Sequence, residues 1–122
     1  MHKKIHISDS ELPIMKSLWR KGPCTSPELF EGMDKNASTL KTLLGRLVDK
    51  GAVEARPISS RTYCYAAILT QEEYIRNARK SFLHTVFDDS REKLLLNFIT
   101  EEHVTREDLE RLMQLIDEEE EP

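Results

Sequence analysis

The strongest constraint on this chain is a change of period at Gly51. Before it, apolar residues recur at helical spacing; after it, they alternate. Ser8-Asp9-Ser10-Glu11 has the Ser-x-x-Glu form of a capping box, and Leu12, Met15, Leu18 and Trp19 follow on one helical face until Gly22-Pro23. Pro13 bears on where this helix starts. With Ser8 as the cap, Pro13 falls near the end of the first turn and removes a hydrogen bond. With Ser10 as the cap it lies within the first turn, where a missing N–H matters less, so the pattern favours Ser10. Ser26-Pro27 reads as a second start, for a short helix to about Met33 with Leu29, Phe30 and Met33 apolar. After the polar turn Asp34-Lys35-Asn36, a third helix is expected from about Ala37 to Lys50, with Leu40, Leu43, Leu44, Leu47 and Val48 as its buried stripe. Beyond Gly51, Val53 and the strand-forming Thr62-Tyr63-Cys64-Tyr65 flank Pro57-Ile58-Ser59-Ser60. This predicts a hairpin with strands near 53–57 and 61–66.

The rest reads as helical. Thr70-Gln71-Glu72-Glu73 is another capping box, opening a long helix with Tyr74, Ile75, Ala78, Phe82, Leu83 and Val86 on one side. Asp88-Asp89-Ser90 breaks it and caps a helix carrying Leu94, Leu95, Leu96, Phe98 and Ile99. Thr105-Arg106-Glu107-Asp108 starts the last helix, whose stripe is Leu109, Leu112, Met113 and Ile116, before a solvated acidic tail at Glu118–Glu121. The expected fold is mainly α with a small β-hairpin, divided into residues 1–69 and residues 70–122.

Charge follows the same division. The whole chain of 122 residues has a net charge of −4, which alone argues against a polyanion binder. Residues 1–65, however, hold 11 Lys and Arg against 7 Asp and Glu, a balance of +4. Residues 66–122 hold 7 against 15, a balance of −8. No apolar run approaches the 18 residues of a membrane span, so no membrane insertion is expected. Met1-His2-Lys3-Lys4 leads into alternating residues rather than an apolar stretch, so no secretory signal is expected either. Cys24 and Cys64 then read as two reduced thiols in the cytoplasm.

Three helices and a hairpin within about 65 residues is the order of a winged helix-turn-helix. In that arrangement the third helix lies across the surface and can enter the DNA major groove. Its polar face would carry Ser38, Thr39, Lys41, Thr42, Gly45, Arg46 and Asp49. Short hydroxyls and a lysine suit base edges and phosphates. Gly45 would let the helix lie close to the groove, at a cost in helix stability. Arg46 and Lys50 can reach phosphates, and Arg56 and Arg61 lie on the hairpin where a wing would meet the neighbouring backbone. The DNA-binding set is therefore Ser38, Thr39, Lys41, Thr42, Arg46, Lys50, Arg56 and Arg61.

The apolar faces after residue 70 are hard to satisfy within one chain. They read as a helical dimerisation arm, with packing on the first domain as the alternative. The expected interface is Tyr74, Ile75, Phe82, Val86, Leu94, Leu95, Phe98, Leu109, Leu112 and Met113. A two-fold dimer requires a palindromic site on double-stranded DNA.

Three blocks now carry a resemblance. Glu11-Leu12-Pro13-Ile14-Met15-Lys16-Ser17-Leu18-Trp19, Ser38-Thr39-Leu40-Lys41-Thr42-Leu43-Leu44-Gly45-Arg46-Leu47-Val48-Asp49-Lys50-Gly51 and Arg61-Thr62-Tyr63-Cys64-Tyr65 resemble the first helix, recognition helix and wing strand of the penicillinase repressor family. The resemblance covers nearly the whole length. It implies a dimeric repressor that occupies a palindromic operator, with Thr39, Lys41, Thr42 and Arg46 on the DNA-facing side. In β-lactam-responsive members it further implies a membrane sensor protease that triggers cleavage of the arm at an Asn-Phe bond, which Asn97-Phe98 resembles. Two departures stand out: Gly45 where the family usually has Thr or another polar residue, and Pro13 in place of the usual acidic residue. The paired Cys-x-Cys motifs of copper-responsive members have no counterpart after Cys64, and His84 and His103 read as surface or interface residues.

No phosphate loop, metalloprotease motif or nucleophile grouping is present, so neither an enzyme nor a cofactor or metal is expected. The competing reading is a winged-helix protein-interaction module without specific DNA binding.

Overall fold

The computed structural model describes residues 5–120. Its element order is α1 (Leu12–Lys21), α2 (Ser26–Phe30), α3 (Ala37–Asp49), β1 (Val53–Pro57), β2 (Tyr63–Ala67), α4 (Gln71–Phe87), α5 (Arg91–Glu101) and α6 (Arg106–Glu120). The chain is mainly helical, with one antiparallel hairpin. It divides into two compact units, Met1–Asn77 and Ala78–Pro122, and the division falls within α4.

The first helix starts differently from the favoured expectation. Ser8, not Ser10, makes the reciprocal bonds: the Ser8 N–H donates to Glu11 Oε1 at 2.9 Å, and the Glu11 N–H donates to Ser8 Oγ at 3.2 Å. The box closes a turn that runs into α1, and Leu12 N–H already donates to the Ser8 carbonyl at 3.0 Å. Pro13 still falls in the first turn of α1, where its missing N–H costs little. The cap of α2 is likewise one residue earlier than Ser26. Glu28 Oε1 accepts from both the N–H and the hydroxyl of Thr25, at 3.1 and 2.8 Å. The helix stops at Phe30, short of Met33, because Gly32 turns the chain with φ 84°.

Asn36 caps α3 by accepting the Thr39 N–H at 2.8 Å. The end of α3 explains the change of period. Gly51 adopts φ 83°, its N–H donates to the Val48 carbonyl at 3.0 Å, and the Ala52 N–H donates to the Leu47 carbonyl at 3.0 Å. This is a Schellman ending, and it delivers the backbone straight into β1. β1 and β2 pair from Val53↔Ala67 to Pro57↔Tyr63. β2 also pairs on its other edge with Cys24, through bonds of 3.1 and 2.8 Å between Cys24 and Tyr65. Cys24 and Cys64 are free thiols; Cys24 is buried, and that burial pushes its thiol up.

The core of the first unit is Ile7, Ile14, Met15, Leu18, Cys24, Leu29, Leu40, Leu43, Leu44, Leu47, Ala52, Val53 and Leu69. Ile14, absent from the expected stripe of α1, is fully buried, whereas Leu12 and Trp19 are only partly so. Ser17 is buried among these side chains and satisfies its hydroxyl on the Leu29 carbonyl at 2.8 Å, tying α1 to α2. The start of α4 also belongs here: Tyr74 packs on the core and lies 5.4 Å from the Trp19 ring, and Trp19 Nε1 donates to the Leu69 carbonyl at 2.9 Å.

The second unit is helical. Ser90 caps α5 by accepting the Lys93 N–H, and Thr105 and Asp108 exchange bonds of 3.0 and 3.1 Å at the start of α6. Asp88 and Asp89, between α4 and α5, take left-handed conformations with φ 50° and 65°, which Asp tolerates better than most residues. His84 Nδ1 lies 2.8 Å from Asp89 Oδ2, with both side chains exposed. The expected acidic tail is partly helical, since α6 continues to Glu120; Glu121 lies outside the described residues. Among the described residues of this unit none is buried, although it carries Phe82, Val86, Leu95, Leu96, Phe98, Ile99, Leu109, Leu112, Met113, Leu115 and Ile116. No helix among the described residues is long and apolar enough to cross a membrane.

Candidate nucleic-acid interface

The buried stripe of α3 fixes which face it presents. Leu40, Leu43, Leu44 and Leu47 are inside, so Ser38, Thr39, Lys41, Thr42, Gly45, Arg46 and Asp49 are outside. Asn36 consumes the Thr39 N–H, and the Thr42 hydroxyl donates back to the Ser38 carbonyl at 3.1 Å. The side-chain hydroxyl of Thr42 keeps its acceptor lone pairs for a ligand. Lys41, Arg46 and Arg61 form no ion pair among the described residues, so their charges are available outward.

The wing sits beside this face. Lys41, Gly45 and Asp49 of α3, Ser26 of α2, and Arg61, Tyr63 and Tyr65 of the hairpin line one open cleft of about 500 Å³. The fold therefore brings Lys41 and Arg61, 20 positions apart in sequence, onto a common surface. Ser26, Tyr63 and Tyr65 join that surface without having been expected there. The Thr-Tyr-Cys-Tyr alternation was the available signal for the tyrosines, since it places both on one face of β2.

Two expected contacts have other partners. Arg56 Nε donates to Glu54 on its own strand at 3.0 Å, in the open. Lys50 is more fully committed. Its ammonium bonds Glu11 and also donates to the His6 carbonyl at 3.0 Å, so it closes the winged-helix unit rather than facing outward with Arg46. Glu11 is only 1% exposed. Burial pushes its carboxyl up, but the Lys50 ammonium and the Ser8 N–H and hydroxyl outweigh this and hold it below the ordinary glutamate value. The expected dimer contact Tyr74 also has a different place, against Trp19 in the first unit. Leu94 is half-buried within the second unit, while Ile75, Phe82, Val86, Leu95, Phe98, Leu109, Leu112 and Met113 are exposed. Asn97 and Phe98 lie inside α5.

A helical trio with its third helix open on the polar side, and a hairpin wing beside it, defines a winged helix-turn-helix domain. A family model described as penicillinase repressor matches residues 7–118, and the chain belongs to the penicillinase repressor family. The penicillinase repressor of Bacillus licheniformis is 28% identical over 97% of this chain and 94% of its own length. The methicillin resistance regulatory protein MecI of Staphylococcus aureus is 24% identical over 94% of this chain and 96% of its own length. The solution structure of the DNA-binding domain of the repressor BlaI superposes with a TM-score of 0.52 at 28% identity, covering 61% of this chain and 94% of that domain.

Proposed function

We propose that this protein is a cytoplasmic transcriptional repressor that occupies a palindromic operator in double-stranded DNA as a homodimer. The observation that carries the reading is the exposed face of α3, where Lys41 and Arg46 form no ion pair among the described residues and Arg61 of the wing shares the cleft with Lys41. Lys41, Arg46 and Arg61 hold phosphates and set the register. Ser38, Thr39 and Thr42 present short polar groups to base edges. Arg56 contributes phosphate affinity only by exchanging its Glu54 partner. Residues 1–69 do the reading and residues 70–122 do the joining, except that Tyr74 anchors the start of α4 on the winged helix. The interface is built by Ile75, Phe82, Val86, Leu94, Leu95, Phe98, Leu109, Leu112 and Met113, joined by Leu115 and Ile116. A chain with this much unburied apolar surface needs a second copy to cover it.

Salt-dependent duplex binding tests this reading. Affinity should fall steeply between low and physiological salt, because each phosphate contact releases counterions. Arg46→Ala should weaken binding by about tenfold and reduce the salt slope by about one. A flat salt response in the unmodified protein would instead favour a protein-interaction module, and an unchanged slope would remove Arg46 from the contacts.

Asn97–Phe98 is the proposed point of inactivation, by a protease under a membrane sensor. Within α5 the Asn97 carbonyl accepts the Thr100 hydroxyl at 3.2 Å, and the Phe98 carbonyl accepts the Glu102 N–H at 3.0 Å. Cleavage therefore requires local unwinding of α5, and it would separate α6 from the rest of the arm. Mass spectrometry of the protein from cells exposed to a β-lactam should find fragments 1–97 and 98–122; intact chain throughout derepression would rule this route out.

A further inference from the structure

Gly45 lies inside α3, on its exposed face, with Lys41 a turn before it and Asp49 a turn after. A glycine in a helix interior weakens the helix relative to alanine, because it surrenders more backbone freedom on folding. Intramolecular reasons that normally retain such a glycine are missing here. Gly22, Gly32 and Gly51 adopt positive φ, but Gly45 does not, so alanine fits its backbone conformation. A Cβ built on Gly45 meets nothing within 4 Å among the described residues, so no described neighbour needs the space. Nor does Gly45 end the helix, since that role falls to Gly51.

Among the described residues nothing gains from the missing side chain. Gly45 is in the cleft with Asp49 and with Lys41 and Arg61, two cations that form no ion pair among the described residues, and lies next in sequence to a third cation, Arg46. A surface drawn in by those charges meets bare helix backbone at this point. We propose that Gly45 is a specificity-determining residue: it lets the backbone of α3 seat directly against base-pair edges in the major groove, at a depth that any side chain would prevent. This rests on the repressor reading and deepens it. The glycine supplies no hydrogen bond of its own. It sets the depth at which Ser38, Thr42 and Arg46 reach their targets, so its removal should spare loose, charge-driven binding and damage intimate binding.

The test uses the full-length chain and duplexes enriched by it from a randomised pool. Gly45→Ala should melt about 4 °C higher than the unmodified protein, in keeping with the helix propensities. It should nevertheless bind the enriched duplex about tenfold more weakly, the scale of one mismatched base pair. Gly45→Leu should lose more. Both variants should lose less affinity for an unrelated duplex at low salt than for the enriched one. Gly45→Ala binding the enriched duplex within twofold of the unmodified protein would overturn the proposal. So would a lower melting temperature, or equal losses on enriched and unrelated duplexes. If the unmodified chain enriches no duplex and binds without salt dependence, the repressor reading fails and takes this inference with it.

Discussion

Phe82→Asp should elute as a monomer at concentrations where the unmodified protein should elute as a dimer. Phe82 is 45% exposed in the single chain and sits edge-on to Phe87 at 5.5 Å. A two-fold interface would contain it twice, so the substitution places two carboxylates where apolar surface should be covered. Burying an unpaired charge costs several kcal/mol even after relaxation. Loss of the joint should also reduce operator affinity by on the order of a hundredfold, because the second half-site would no longer be held near its reader. Phe82 is not a member of the core of the first unit, so thermal unfolding of that unit should be unchanged. A dimer-sized elution profile for the variant would refute this placement of the interface.

The second large effect is on stability. Lys50→Met should destabilise the winged helix by about 2–3 kcal/mol, because it strands the buried Glu11 carboxylate. The loss falls at the low end for a buried pair because the Lys50 side chain is 34% exposed against 2% for that of Glu11. The pH dependence has a definite sign. In the unmodified protein the Glu11 carboxyl is held below its ordinary value of 4.5, so its contribution is complete above that pH and is lost as the pH falls through the lowered value. In Lys50→Met, burial without its cation pushes the same carboxyl up, so protonation relieves the strain. The gap between the two proteins in urea unfolding should therefore be wide at pH 7 and narrow near pH 4. A gap independent of pH would mean that Lys50 acts through its aliphatic stem alone.

What could be read beforehand was local. Asn36, Gly51, Thr70, Ser90 and Thr105 act on groups three or four residues away, and their neighbourhoods carry readable punctuation. The buried stripe of α3 follows from its period, and with it the outward face that makes the candidate interface. The unread features depend on residues far apart in sequence. Glu11 and Lys50 are 39 positions apart, and nothing near Lys50 distinguishes a clamp from a phosphate contact. Cys24 extends the sheet through a single pairing, too short to show an alternation. Ser8 and Ser10 both stand where a cap could fall, and the reciprocal bonds between Ser8 and Glu11, with the backbone bond from Leu12 to Ser8, separate them. In the cleft, Lys41 and Arg61 are each legible alone, while their meeting across α3 and the wing requires the fold.

Trp19 is the only tryptophan in the chain. Its indole N–H is tied to Leu69, where β2 passes toward α4, and its ring lies against Tyr74 in the first turn of that helix. The protein thus carries its own fluorescent probe at the junction between the wing and the long helix. Red-shifted, solvent-quenched emission would report the release of that junction without any label, and it would do so while the remaining three-quarters of α4 and all of α5 and α6 stay spectroscopically silent.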